Sequence, residues 1–152
     1  MPARIIGIGQ EWAGDDGVGI AVIRNLRKNP GQCHLVELDE PTRLIDLLID
    51  GADPVVVVDA ILDDGPTGRV LVIDALRPNP LSEHLLSTHG VGVMDAIELA
   101  RVAHRDLVAQ RISIIGITVQ EASRHGPGLS AAVKAAVPHA AAQALKLAAA
   151  VD

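Results

Sequence analysis

Pro54-Val55-Val56-Val57-Val58-Asp59 sets four β-branched residues in a row between a proline and a carboxylate. No polar residue alternates with the valines. The run therefore predicts a strand covered on both faces, as in a parallel sheet with helices on either side. That strand is expected to end at Asp59. On its N-terminal side, Arg4–Gly9 reads as another buried strand closing on Gly7-Ile8-Gly9. Gly17–Lys28 then reads as an amphipathic helix stopped by Asn29-Pro30-Gly31, Cys33–Leu38 as a strand, and Pro41–Asp50 as a short helix. On the C-terminal side, the turn Asp63-Asp64-Gly65-Pro66 leads to a strand over Arg69–Ile73. It is reached too quickly for a helical crossover, so a hairpin is expected, with this strand antiparallel to its neighbour.

A helix follows over Thr88–His104, with Val91, Val93, Ile97 and Leu99 toward the sheet, then an interior strand over Arg111–Val119. The tail Ser130–Val151 is helical, with Ser130 at the N-cap and a break or kink expected at Pro138. The alternation predicts an α/β chain: a three-layer α/β/α sandwich whose five-stranded sheet is mostly parallel, with one antiparallel strand. Its 152 residues are expected to form one domain, 1–152.

Composition narrows the function. The net charge is −6, so the basic face that displaces counterions from nucleic acid or an anionic membrane is missing. With one Trp and no Tyr or Phe, the core is aliphatic and base-stacking platforms are excluded. Cys33, the single cysteine, has no disulfide partner, and no CxxC pair is present to hold zinc or an iron–sulfur cluster. Ile5–Ile8 is too short for a signal-peptide core, and no stretch approaches the ~20 apolar residues of a membrane span. A soluble cytoplasmic chain, monomeric in solution, is the expectation.

In an open parallel sheet, ligands bind beyond the carboxyl ends of the strands. Gln10-Glu11-Trp12-Ala13-Gly14-Asp15-Asp16-Gly17 follows the first strand, Asp39 and Glu40 the second, and Asp59 the third; His89 opens the middle helix. Gly7-Ile8-Gly9 lacks the third glycine of a dinucleotide fingerprint, because Trp12 stands there, and Asp15 and Asp16 would repel a pyrophosphate. The glycines also suit a plain tight passage from strand to helix. Asp15 and Asp16 are natural helix caps, although two acids capping one helix is redundant. Asp59, at the mouth of a buried strand, needs a counter-ion, a hydrogen-bond network or a metal. Asp16, Asp59 and His89 together make a two-carboxylate, one-imidazole set suited to a first-row divalent metal with open positions. His34, His84, His104, His125 and His139 lack such neighbours and read as surface or packing residues. No HExxH helix, GxSxG elbow or P-loop lysine is present, and Ser87 near His89 makes only a weak hydrolase pair.

Gly7-Ile8-Gly9, the run Gly14-Asp15-Asp16-Gly17-Val18-Gly19, Val58-Asp59-Ala60 and Ser87-Thr88-His89-Gly90 resemble the nickel–iron hydrogenase maturation endopeptidases, in order and spacing, over nearly the whole chain. The resemblance implies an endopeptidase that removes a C-terminal extension from the large-subunit precursor after nickel insertion. It places the family's three metal-contacting positions on Asp16, Asp59 and His89. The implied cofactor is nickel carried by the precursor, which is the implied partner. Two departures stand out. Gln10 occupies a position usually Asn, and Asp16 one that is often Glu, which retracts the carboxylate by about 1.5 Å. Asp39-Glu40-Pro41 replaces the Asp-Gly-Gly of many members, so contacts at that loop differ.

Two carboxylates and an imidazole, without sulfur, should bind free nickel weakly yet complete the shell of a nickel the precursor already carries. The attacking water would be activated by Asp16 or Asp39, or polarised by the metal. Two other readings fit the same residues: a hydrolase of amides or peptides with its own bound metal, and a non-enzymatic nucleotide-binding α/β module.

Overall fold

The structure, a computed structural model, describes residues 2–77, the backbone of 86 and 87, and residues 92–149. The strands are β1 (Arg4–Ile8), β2 (His34–Leu38), β3 (Val55–Leu62), β4 (Val70–Asp74), a two-residue β5 (Leu86–Ser87) and β6 (Ile112–Val119). The helices are α1 (Val18–Leu26), α2 (Leu44–Leu48), α3 (Val93–Ala103) and α4 (Ala131–Ala149), with a 3-10 turn over Gly14–Gly17 leading into α1. The five main strands lie in the order β2-β1-β3-β6-β4. β1, β2, β3 and β6 are mutually parallel and β4 runs antiparallel to β6. Among these five, the expected mostly parallel sheet with one antiparallel strand is what forms, and the short β5 adds a second antiparallel pairing, on β3.

The four valines explain the layering. Side chains alternate across a strand, and Val56 and Val58 enter one core with Ile5, Val22 and Val133, under α1 and α4. Val55 and Val57 enter the other with Ile6, Leu44 and Ile97, under α2 and α3. All four are fully buried, each worth on the order of 1.5–3 kcal/mol of apolar burial. β3 thus sits at the centre of a three-layer sandwich.

Four expectations are corrected. β3 does not end at Asp59 but continues to Leu62, because β6 pairs with it along its whole length. β3 and β4 form no hairpin: β6 lies between them. Residues 63–69 step across the end of β6, where the Gly68 N–H donates to the Thr118 carbonyl and the Thr118 hydroxyl donates to the Pro66 carbonyl. Leu99 is 55% exposed rather than facing the sheet. Spacing of i, i+4, i+7 from Val93 selects Ile97 and Ala100 for the buried stripe. The expected helix start over residues 88–91 lies outside the described residues.

Finally, α4 runs unbroken through Pro138. Val133, Ala136 and Val137 before the proline, and Ala140, Ala141 and Ala144 after it, all join one core. Burial on both sides offsets the roughly 3 kcal/mol a mid-helix proline costs.

Candidate active site

The strands do not end level, and that unevenness makes the site. Pairing between β1 and β3 runs from Arg4↔Val55 to Gly7↔Val58 and stops as β1 ends. β3 continues, and Ile61 and Leu62 are taken up by Ser87 and Leu86 of β5. Asp59 and Ala60 therefore occupy a gap between the end of β1 and the start of β5, while Gly116 and Ile117 of β6 pair with them on the other side. Asp59 is only 1% exposed. One of its oxygens, Oδ1, accepts the Ala60 N–H at 2.8 Å, which orients the carboxylate.

Helix α1 is laid over this gap by glycines. A Cβ on Gly7 would collide with the Gly19 backbone, and one on Gly19 with the carbonyl oxygens of Ile8 and, at 2.6 Å, of Val58. A Cβ on Gly9 would stand 2.6 Å from the Asp16 carbonyl. The N-terminal turn of α1 thus rests directly on the end of β1 and the middle of β3. Asp16, one turn before Gly19, is 2% exposed.

The two acids of that turn have separate partners, and neither side chain caps its own helix. Asp15 is fully buried, and its carboxylate accepts the Ser130 backbone N–H at 2.6 Å and the Ser130 hydroxyl at 2.8 Å. It caps the start of α4 from 115 residues away. Asp16 Oδ1 lies 3.5 Å from Nε of Arg124, whose Nη1 donates to Glu121 at 2.9 Å. The redundancy of two adjacent caps resolves into one structural carboxylate and one that faces the rim. Replacing Asp15 by Ala removes two charge-assisted hydrogen bonds, an expected loss of about 2 kcal/mol. The midpoint of thermal unfolding should fall by about 4–8 °C, and Asp15→Asn, which keeps one acceptor, should recover about half.

Asp39 follows a different strand. It is exposed at the end of the edge strand β2, next to Leu38, whose carbonyl accepts the Gly9 N–H at 3.0 Å. His89 lies outside the described residues, as do His84 and the Ser87 side chain. Among the described residues no three His, Cys, Asp or Glu side chains gather into a metal-holding group. His34 Nδ1 accepts from Arg4, and His125 is exposed beside Gly14, so neither joins Asp59. The sequence marked Ser130 only as the N-cap of α4, not as the partner of Asp15, and did not single out Arg124. The rule that assembled the acids applied equally to the segment after β6, Gln120–Ser130, and would have found both.

A family model described as hydrogenase maturation protease matches residues 22–147. The chain belongs to that family. It is accordingly a peptidase, as the motif resemblance implied. The matched stretch contains Asp39, Asp59 and His89, and Asp16 precedes it. The hydrogenase maturation protease HybD from Thermococcus kodakarensis is similar at 29% identity with a TM-score of 0.79, covering 97% of this chain and 99% of that one. The hydrogenase maturating endopeptidase HybD from E. coli shares the fold at 19% identity and a TM-score of 0.74, over 96% of this chain and 91% of that one. HycI from T. kodakarensis does so at 23% identity and a TM-score of 0.63, over 97% and 92%. No curated protein matches the chain in sequence.

Proposed function

We propose that this hydrogenase maturation protease removes the C-terminal extension of a nickel–iron hydrogenase large-subunit precursor, acting once nickel is in place. The observation that carries the reading is Asp59, a carboxylate buried in the sheet gap beneath the turn that holds Asp16. The nickel is the substrate's cargo, and Asp16, Asp59 and His89 are the residues that contact it. β5 supports the third member. It runs from beside Leu62 to beside Ile61, heading toward Asp59, and His89 is two residues past Ser87, a reach of at most about 7 Å. Hard oxygen donors and one imidazole complete a coordination shell without stripping the metal from the precursor's thiolates.

Cleavage needs a base within reach of a water molecule. Asp16, covered and beside Arg124, is better placed than Asp39, which stands one strand further from β3 on the exposed edge. The base takes the proton, the hydroxide adds to the scissile carbonyl, and the proton passes to the departing amine as the C–N bond breaks. Among the described residues no helix is long and apolar enough to cross a membrane. The test is incubation of the purified protein with nickel-loaded and nickel-free precursor. A small mass loss in the loaded form alone is expected, from a protease that itself purifies nearly free of metal. Equal trimming of both forms, or of neither, overturns the proposal.

A further inference from the structure

A groove of about 700 Å³ runs between α1 and α4, starting at Gly14 and Gly17 on either side of Asp16 and reaching Lys28. Its walls include the apolar Ile20, Val137 and Pro138, a size and lining typical of ligand clefts. The charge is unlike that of the rest of the chain, whose net charge is −6. Arg24, Lys28 and Lys134 line the groove against one acid, Glu11. Glu11 is already spent on Arg24, which donates to both its oxygens at 2.5 Å. Among the described residues Lys28 and Lys134 have no acidic partner, so the groove carries two uncompensated cations. Pro138 adds an acceptor: having no N–H, it leaves the Lys134 carbonyl without the donor a helix interior supplies.

We propose that this groove seats the peptide segment on the C-terminal side of the cut, with Lys28 and Lys134 receiving its carboxylates. The inference rests on the reading above. An extension removed from a C-terminus ends in an α-carboxylate whatever its sequence, so the leaving segment is anionic at its tail by chemical necessity. Its scissile end would lie at the end of the groove lined by Gly14 and Gly17, the two glycines that flank Asp15 and Asp16 in the chain. From Gly17 to Lys28 the groove wall rises about 16 Å at 1.5 Å per residue, the length of about five extended residues. The structure thus assigns the site an anionic, partly aliphatic peptide of roughly that length.

Two measurements test this on the full-length protein. In the first, nickel-loaded precursor is trimmed by wild type and by the double variant Lys28→Glu, Lys134→Glu, both exposed positions. KM should rise at least tenfold with kcat within twofold, because charges remote from the reacting bond act on docking. In the second, fluorescence anisotropy follows a dye-labelled five-residue peptide bearing one leucine, two aspartates and a free C-terminal carboxylate. Its binding should weaken at least tenfold in the variant, and likewise when the terminus is amidated and the aspartates replaced by asparagine. Unchanged KM and unchanged peptide affinity in the variant overturn the groove assignment. Charge-dependent peptide binding by a wild type that trims no precursor leaves the groove assigned and removes the proposed function instead.

Discussion

Replacing Asp59 by Asn should lower trimming of nickel-loaded precursor by at least about 100-fold while leaving the fold intact. Asn keeps an Oδ1 to accept the Ala60 N–H, the bond that orients the side chain within β3. The strand around it is fixed by β6 pairing along its whole length and by four buried valines, none of which the change disturbs. What disappears is the negative charge. A side chain that holds a divalent ion contributes several kcal/mol at the reacting centre, and 100-fold corresponds to about 2.7 kcal/mol. The midpoint of thermal unfolding should stay within a few degrees of wild type, which separates lost chemistry from lost structure. His89→Ala is the companion variant and should fall by a similar factor. Trimming at the normal rate by either variant would remove that residue from the nickel-contacting set.

The largest effect on stability is expected from Gly19→Ala. Within a helix, Gly to Ala ordinarily stabilises by up to about 1 kcal/mol. Here the sign should reverse. The added Cβ would be driven into the carbonyl oxygens of Ile8 and Val58, and these are backbone atoms of paired central strands that cannot swing aside. Overpacking of this kind costs about 3 kcal/mol or more, lowering the unfolding midpoint by about 6–12 °C for a chain of this size. Activity should fall further than stability accounts for, since lifting α1 off the sheet moves Asp16 away from Asp59. Thermal unfolding and trimming at a temperature where the variant is fully folded measure the two parts. A variant as stable as wild type would mean that the close approach of α1 to β3 does not set the height of the turn.

Local pattern determined the layers of this protein. Four consecutive valines can be satisfied only by cover on both faces, and the spacing of apolar residues around them distinguishes helix from strand without knowledge of distant partners. Asp16 and Asp39 were legible for the same reason, because a parallel sheet sends its strand ends to one rim, whereas Asp59 turned out to stand inside β3 rather than after it. Tertiary structure decided what a residue's distant neighbours do to it. Asp15 and Asp16 are adjacent in the chain and look interchangeable as caps, yet one binds Ser130 and the other faces Arg124, since both partners arrive from the segment after β6. The gap that exposes one edge of β3 at Asp59 arises because β1 stops before β3 does, a difference of strand lengths that no short window contains. Pro138 shows the same division: its ring predicts a break or kink, but burial of apolar residues on both sides of it, against strands far away in sequence, keeps the helix continuous. Periodicity is a property of ten residues, whereas which carboxylate binds Ser130 and which faces Arg124 depends on side chains more than a hundred positions apart.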